Sequence, residues 1–498
     1  MSNSTRDRKW HQIQWFKAED TPEERKLIIK LDLLMIPYMF VVYWMKQLDQ
    51  NNLNYAYVAG MKEDLGFRGN ELIRLQSLYV VGAVLGQLPF MYLFTRFRMQ
   101  WLLPVQDVAW GIFTLLQFRA QSFAELAAYR FMVGWFEAAW FPAAQFTMGS
   151  WYRGDEIGRR EGLFILGIAI GPLTAALIQS GASARLDGVN GVEGWRWMYI
   201  INALMTIPIG FLGLMILPGT PDKPNRLIFK AKDQCIAKAR LERAGHGLKG
   251  RATLSDILMI LRKPRTWSLI FLDIFSFAGS FNTVLGGYAL WIKSLDRYSP
   301  SRINQLAAIA PGLGILYNIV ANFSSDLLWG PAWSITVSQT WNCIGLVILV
   351  IWDVPESALW FAFSTTFAAS AVVGVLLGWI NTLLKASPAE RSVVIVLANM
   401  IGQGTSAWTQ LLTFPTVEAP RFTKGYSFVL ANAIAMVLLA HYVDWDVKRQ
   451  HRRAAASEDG ESRQATPSNT NSNAYQNVRH SSLGTLPTSM PTDTSALG

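Results

Sequence analysis

Glu137 is a carboxylate in the middle of an otherwise apolar stretch, residues 124–148. A carboxylate is costly in hydrocarbon, so such residues are rare and usually face a cavity or a partner. Burial disfavours the charged form of a carboxyl group because its hydration is lost. A group in this position can take up a proton on one side of a membrane and release it on the other. We therefore predict that Glu137 binds a coupling proton, and the alternative is a structural hydrogen bond.

A second polar cluster lies in the first apolar segment of the chain. On a helix, Lys46, Asp49, Gln50 and Leu53 fall at i, i+3, i+4 and i+7, which places them on one face. In the functional interpretation Lys46 attracts an anionic substrate, and Asp49 balances the charge of Lys46 or carries a proton. Gln50 and Asn52 donate hydrogen bonds to the substrate. In the alternative, the helix has already left the membrane and these residues lie at its wet outer end.

Three further side chains are candidates for substrate binding. Arg130 precedes Glu137 by seven residues, two helical turns, and so lies on the same face. It is expected to pair with a substrate carboxylate or to anchor the helix at a phosphate headgroup. Asn282 and Asn399 lie deep in apolar segments, where an unpaired amide is costly, so each is expected to bind substrate or to bridge two helices.

The elements that carry these residues are predicted to be membrane-spanning helices. Of the 498 residues 51% are hydrophobic and only 16% are charged, against about 25% in soluble proteins. Apolar runs of about 20 residues match the thickness of a bilayer, and in lipid they must be helical. The predicted spans are 30–54, 72–94, 101–118, 123–149, 160–181, 196–217, 267–291, 304–326, 333–352, 357–381, 391–413 and 426–445. Gly and Pro interrupt several spans, where close packing or bending is expected.

These spans give two six-helix halves that are separated by a hydrophilic connection. The predicted parts are an N-terminal segment (1–29), an N-terminal half (30–217), a basic loop (218–265), a C-terminal half (266–445) and a disordered tail (446–498). The surplus of Lys and Arg in the connection predicts that it is cytoplasmic, and both termini with it.

Some charged positions need separate treatment in this topology. Lys293, Arg297 and Arg302 fall on the predicted outer side and disagree with the charge rule. Asp273, near the start of the seventh span, is expected to cap or anchor its cytoplasmic end. Thr21 and the acids that follow it resemble a helix start, and the first span is expected to act as its own insertion signal.

Several function classes are disfavoured. The sequence shows no metal-ligand spacing, no nucleophile motif and no phosphate-binding loop, so we predict neither an enzyme nor an ATP-driven pump, and no cofactor. The two cysteines, Cys235 and Cys343, do not suggest a disulfide framework. The net charge of +10 is concentrated in loops and tails beside apolar runs, which favours membrane topology over nucleic-acid binding. Two six-helix halves instead favour a carrier whose substrate lies near the midplane.

Several segments carry a family resemblance. Residues 48–65 read LDQNNLNYAYVAGMKEDL, residues 130–138 read RFMVGWFEA, and residues 414–426 read FPTVEAPRFTKGY. Shorter matches are GQLP (86–89), WLLP (101–104), WG (110–111), FP (141–142), SWYR (150–153), GWRW (194–197) and LPGTP (217–221). Together they resemble the fungal pantothenate-transporter and allantoate-permease branch of the major facilitator superfamily, over residues 30 to 445.

The resemblance implies a twelve-helix anion:cation symporter. In related organic-anion carriers, acids in helices 1 and 4 bind the coupling protons, and the matching positions here are Asp49 and Glu137. Many bacterial relatives have Arg directly after the helix-1 acid, where this chain has Gln50, so Lys46 is expected to supply the positive charge. The fifth span contains less Ser than a pantothenate carrier is expected to have, which leaves the identity of the carboxylate open.

We therefore expect an all-α integral membrane protein that imports a small organic anion together with protons. The predicted location is the plasma membrane, the predicted partners are the anion, protons and lipid, and the predicted state is a monomer. One alternative is an exporter of a small acidic natural product by the same fold. Another is a nutrient sensor with a carrier fold, which the short tail disfavours.

Overall fold

A computed structural model of the chain describes residues 16, 19–138, 140–243, 254–280, 286–384 and 388–464. Apart from one two-stranded ladder in the central connection, its regular elements are helices. Those of the N-terminal half are α1 (Pro22–Ala56), α2 (Lys62–Asp64), α3 (Glu71–Arg96), α4 (Met99–Leu116), α5 (Phe123–Glu137), α6 (Trp140–Trp151), α7 (Gly154–Arg185) and α8 (Gly194–Ile216). A π-helical turn, Tyr57–Met61, joins α1 to α2, and short 3₁₀ turns lie at Gln117–Arg119 and Val189–Gly191.

The connection and the C-terminal half continue the helical pattern. Their helices are α9 (Ala231–Arg243), α10 (Leu254–Leu261), α11 (Pro264–Gly279), α12 (Gly287–Ser294), α13 (Pro300–Ala307), α14 (Ile309–Ser324), α15 (Pro331–Ile351), α16 (Glu356–Thr366), α17 (Ala371–Leu383), α18 (Pro388–Thr413) and α19 (Thr423–Gln464). Irregular turns are the π-helical Ser325–Trp329 and the 3₁₀ turns Phe367–Ser370 and Thr416–Glu418. The ladder pairs Gly219–Thr220 with Lys223–Pro224 in antiparallel register.

Every predicted span overlaps one of these helices or a run of them. Within the described residues, seven helical runs are long and apolar enough to cross a membrane by length and composition. The first helix begins at Pro22, eight residues before the predicted span, because Thr21 and Glu24 form a reciprocal capping box there. The helix start predicted at Thr21 is confirmed.

Glycines sit where helices of the N-terminal half approach each other most closely. A Cβ atom at Gly134 in α5 would lie 2.1 Å from the backbone oxygen of Tyr79 in α3, and one at Gly171 in α7 would lie 2.4 Å from Cβ of Gln47 in α1. Small residues permit such backbone approach in lipid. Gly171 thus sets the spacing between α7 and α1, the helix that carries Lys46 and Asp49, and Gly134 sets the spacing between α5 and α3.

The central connection is not a plain loop in the residues described. It contains the ladder and helices α9 and α10, and α9 is fixed to the N-terminal half by buried and half-buried ion pairs. Lys30 Nζ lies 2.8 Å from Asp233 Oδ2, and Arg240 Nη1 lies 3.2 Å from Glu156 Oε1. The prediction of a loop over 218–265 is therefore wrong for the residues of the ladder, α9 and α10.

The predicted C-terminal tail also begins as regular structure. Residues from Asp446 onward form a separate unit, and in it the helical conformation persists to Gln464. Lys, Arg, Gln and Ala, which make up most of 448–456, favour a helix, so the prediction of disorder from 446 is wrong for the helical residues 446–464. Residues 465–498 lie outside the described part of the chain.

The two halves are hydrogen bonded to each other at the end of the molecule where α1 ends, which we call the distal end. Gln410 Nε2 donates to Ser77 Oγ at 2.9 Å, and the hydroxyls of Ser180 and Ser301 are 2.9 Å apart. An ion pair also joins the halves there, with Lys293 Nζ 2.7 Å from Glu63 Oε1. These contacts hold the two halves together at the distal end.

Candidate substrate and proton site

A cavity of about 260 Å³ lies between the two halves. Its polar lining includes, from the N-terminal half, Lys46, Gln47, Gln50, Asn51, Gln76, Tyr79 and Arg130, and from the C-terminal half, Asp273, Ser276, Ser280, Ser370, Asn399, Gln403, Ser406 and Gln410. Apolar and aromatic side chains such as Tyr43, Phe141, Phe277 and Phe367 complete the wall. A mostly apolar pocket with a few convergent polar groups is typical of a small-molecule site.

The first cation of the cavity wall is paired with Glu137. Lys46 Nζ donates to the backbone oxygen of Glu137 at 3.0 Å and lies 3.9 Å from its carboxylate Oε2. Tyr79 donates its hydroxyl hydrogen to the same Oε2, and Gln50 Nε2 donates to the Tyr79 hydroxyl. Glu137 itself is fully buried and is not a lining residue. Its carboxylate therefore lies one side chain behind the wall that Lys46 and Tyr79 form.

The second cation of the wall is paired with Asp49. Arg130 Nη1 lies 3.9 Å from Asp49 Oδ2 and donates to the Asp49 backbone oxygen at 3.4 Å. The guanidinium also stacks over the Tyr79 ring, with its carbon 4.9 Å from the ring centroid. Asp49 is fully buried behind Arg130. Two cations thus face the cavity, and each has a carboxylate behind it.

The two carboxylates have different surroundings. Asp49 accepts four hydrogen bonds, from Trp110 Nε1, Thr114 Oγ1, Asn202 Nδ2 and Asn52 Nδ2, at 2.8–3.3 Å. Glu137 Oε1 receives no N–H or O–H donor among the residues described. Asp49 and Glu137 also interact electrostatically with each other, and two like charges in contact are unfavourable when both acids are ionised. Because the four donors fill the lone pairs of Asp49, a single proton on this pair is best accommodated by Glu137.

Several sequence-based interpretations are settled by these positions. Asp49 is buried inside the helix bundle, so the alternative of a wet outer end is wrong. Arg130 is 1% exposed and paired with Asp49, so the interfacial anchor is also wrong. Lys46 pairs with Glu137 and not with Asp49, because the Glu137 carboxylate on α5 lies closer to the Lys46 ammonium group than the Asp49 carboxylate on the same helix.

The remaining predicted residues divide between the cavity and its surroundings. Gln50 and Asn399 line the cavity, in accordance with a role in substrate binding. Asn52 does not line the cavity. Its amide donates to the Asp49 carboxylate, so the prediction that Asn52 binds substrate directly is wrong. Asn282 lies outside the described residues.

Among the lining residues that the sequence analysis did not assign to the site, Tyr79 and Asp273 matter most for its chemistry. Tyr79 gave no signal, because a tyrosine in an apolar helix is compatible with packing alone. Asp273 was expected to cap or anchor the end of its helix, but it is 7% exposed and lines the cavity. The signal that was available is the polar spacing of Asp273, Ser276 and Ser280 at i, i+3 and i+7, one face of a helix.

The helical fold with a cavity between its two halves is that of a membrane transporter, and the family described next consists of transporters, not enzymes. The sequence profile of the Major Facilitator Superfamily matches residues 39–409. The chain belongs to this superfamily, and it transports a small organic substrate, as its relatives do.

Named relatives and solved structures are similar over most of the chain. The Vitamin H transporter of Saccharomyces cerevisiae is 35% identical over 461 residues, 90% of this chain and 77% of the relative. The Pantothenate transporter liz1 of Schizosaccharomyces pombe is 31% identical over 407 residues, 81% of this chain and 78% of the relative. A proton:xylose symporter structure superposes with a TM-score of 0.63 at 16% identity, over 83% of this chain and 96% of that one, and shows the same fold.

Proposed function

We propose that this protein is a proton-coupled symporter of a small carboxylate vitamin, located in the plasma membrane as a monomer with both termini in the cytoplasm. Biotin, which is vitamin H, is the first substrate to test, because the relative at 35% identity is named for it. Pantothenate, for which the relative at 31% identity is named, is the second. Both molecules carry one carboxylate, which matches a cavity wall with two cations.

The observation that carries the proposal is the arrangement of the two ion pairs. Lys46 and Arg130 face the cavity, whereas Glu137 and Asp49 lie behind them at 3.9 Å. This separation exceeds the 2.7–2.9 Å that is typical of a charge-assisted hydrogen bond. An anion that enters the cavity therefore meets cations whose hydrogen-bonding capacity is not exhausted by their internal partners.

Proton binding to Glu137 changes this balance. When Glu137 is ionised, it competes with the substrate carboxylate for Lys46. When it is protonated, Lys46 loses its nearest counter-ion and keeps only the more distant buried acid Asp107, which is unfavourable until an anion pairs with it. Protonation and anion binding thus favour each other, and the coupling is reciprocal.

The transport cycle follows from this coupling. In the state that is open to the exterior, Glu137 takes up a proton through the cavity, where Tyr79 forms the contact between the lining and the carboxylate. The anion then binds at Lys46 and Gln50, with Arg130 beside them. The halves rock, Glu137 loses its proton to the cytoplasm and again pairs with Lys46, and the anion is released. Proton and anion cross together, so the movement of net charge through the membrane is reduced.

The test is uptake by purified protein in proteoliposomes. Labelled biotin and labelled pantothenate are supplied outside, with and without an acidic exterior and with the membrane potential clamped. We expect acid-driven accumulation of at least one of them, and inhibition by the free acid but not by its methyl ester, which lacks the anionic charge. Xylose serves as an uncharged control that should not accumulate. Uptake without any response to the pH gradient would contradict symport with protons.

A further inference from the structure

Asp273 is an acid of the C-terminal half that faces the cavity. It lies in α11, is 7% exposed and shares one helix face with Ser276 and Ser280, which also line the cavity. Helix α18 passes close beside it, since a Cβ atom at Gly402 would lie 3.3 Å from Asp273 Oδ2. The side chain is therefore held between two helices and directed to the space that the substrate occupies.

The Asp273 carboxyl group differs from Asp49 and Glu137, the two acids that are paired with the cavity cations. Asp49 has four donors and an arginine, and Glu137 has Tyr79 and Lys46. For Asp273, which is 7% exposed, no hydrogen bond or ion pair with another described residue is present. A buried acid without a partner is unfavourable, so its position needs a reason other than stability.

Asp273 gives the two walls of the cavity different chemical character, with cations on one wall and an acid on the other. Lys46 and Arg130 belong to the N-terminal half, and Asp273 belongs to the C-terminal half. A molecule with a carboxylate at one end and N–H or O–H donors at the other complements both walls when it lies across the cavity. A molecule that is only an anion would complement one wall and leave Asp273 without a partner.

We propose that Asp273 selects the substrate by accepting hydrogen bonds from its donor end, remote from its carboxylate. The inference rests on the proposed function. It narrows the substrate class to elongated carboxylates with a urea, amide or hydroxyl donor at the far end. Biotin, with its cyclic urea, and pantothenate, with an amide and hydroxyls, both belong to this class, whereas simple fatty or aryl-alkyl carboxylates do not.

The experiment compares two inhibitors of labelled biotin uptake in proteoliposomes. One is unlabelled biotin, and the other is 5-(thiophen-2-yl)pentanoic acid, which keeps the carboxylate and a sulfur ring but has no N–H group. Wild type is compared with Asp273→Asn and Asp273→Ala, and Asp353→Asn, an exposed acid of the same half, is the control. Labelled pantothenate, competed by pantothenate and by pentanoic acid, replaces the pair if only pantothenate is transported.

We expect the inhibition constant of biotin to rise by about tenfold to a hundredfold in Asp273→Ala, the range for loss of a hydrogen bond to a charged group. The constant of the thiophene acid should remain within about twofold, which also shows that the variant is folded. Asp273→Asn should lie between wild type and Asp273→Ala, because it keeps one acceptor oxygen.

Three results would overturn the inference. Equal losses for both inhibitors would show a general role in cavity structure, and an unchanged constant for biotin would show no contact. Loss of the pH response with both constants unchanged would make Asp273 a proton site instead. If wild type transports neither vitamin, the proposed function fails and this inference fails with it, whereas the other results leave the proposed function intact.

Discussion

At the scale of single residues, the different surroundings of Asp49 and Glu137 are the basis of the different roles that we propose for them. Asp49 is surrounded by donors from two other helices, α4 and α8, by Asn52 of its own helix and by Arg130, so it fits a permanently paired acid that fixes the arginine. Glu137 has fewer donors and pairs with a lysine of the cavity wall, so it fits the group that exchanges protons. The two acids that resemblance treats alike are thus separated by their surroundings.

We predict that Arg130→Gln destabilises the protein through the charge of Asp49. Removing one member of a buried ion pair typically costs about 3–5 kcal/mol, because the other charge remains uncompensated. The remaining donors to Asp49 place the expected cost near the lower end of this range. The double variant Arg130→Gln with Asp49→Asn should recover part of the loss, and not all of it, because an asparagine amide cannot accept all four donors.

The melting temperature of the detergent-purified protein measures this double-mutant cycle. The single variant should melt several degrees below wild type and below the double variant. Equal melting temperatures for Arg130→Gln and wild type would show that the pair contributes nothing to stability.

The sequence was sufficient to single out Lys46, Asp49, Arg130 and Glu137 as candidates, because charge in an apolar span is conspicuous. It left open a wet helix end for Lys46 and Asp49 and an interfacial anchor for Arg130. It did not show which cation pairs with which acid. That choice depends on how close α5 lies to α1, and the spacing of helices is a tertiary property. The sequence analysis placed Asp273 at a helix end because it used only the position of the residue along the helix. That position does not show whether the side chain faces the cavity or the surface.

At the scale of elements, the close contact of α1 with α7 positions Lys46, the cavity-facing cation that α1 carries. We predict that Gly171→Ala separates these two helices, because the added Cβ would lie 2.4 Å from Gln47 Cβ and 2.9 Å from the Gln47 backbone carbon. Overpacking of this kind costs about 1–3 kcal/mol, and the movement of α1 should also weaken substrate affinity.

Gly181→Ala is the matched control on the same helix, because a Cβ atom there meets nothing within 4 Å. It should retain wild-type uptake and melting temperature or melt slightly higher, since alanine favours helix more than glycine does. Equal behaviour of the two variants, measured by melting temperature and by uptake, would show that the contact at Gly171 is not tight.

The helix positions themselves were largely predictable, because hydrophobic length is dictated by the bilayer. The helices of the central connection were not, since α9 is polar and is stabilised by ion pairs with α1 and α7 that only the folded chain brings together. Two of the three basic residues that disagreed with the charge rule have acidic partners in the fold: Lys293 pairs with Glu63 and Arg297 with Glu356.

At the scale of the whole molecule, the contacts of the distal end define the conformation. With the N terminus in the cytoplasm, as we propose, the distal end is exterior, and this is a conformation closed to the outside. Alternating access then requires the hydrogen bonds between Ser180 and Ser301 and between Ser77 and Gln410 to break in each cycle.

We predict that joining Ser180→Cys to Ser301→Cys by a disulfide stops transport, because the two hydroxyls are 2.9 Å apart and belong to different halves. The background carries Cys235→Ser and Cys343→Ser, which removes both native thiols. Oxidation should abolish biotin uptake and dithiothreitol should restore it, while each single cysteine variant remains active under oxidant. Undiminished uptake by the fully cross-linked protein would show that the distal end does not open.

The central claim, that protonation of Glu137 couples the pH gradient to anion transport, is tested most directly by Glu137→Gln in proteoliposomes. Glutamine imitates the protonated acid, so the variant should retain exchange of labelled for unlabelled biotin but lose all acceleration by an acidic exterior. The control is Glu125→Gln, an exposed acid in the first turn of the same helix, which should behave as wild type. Wild-type pH dependence of uptake in Glu137→Gln would contradict the account.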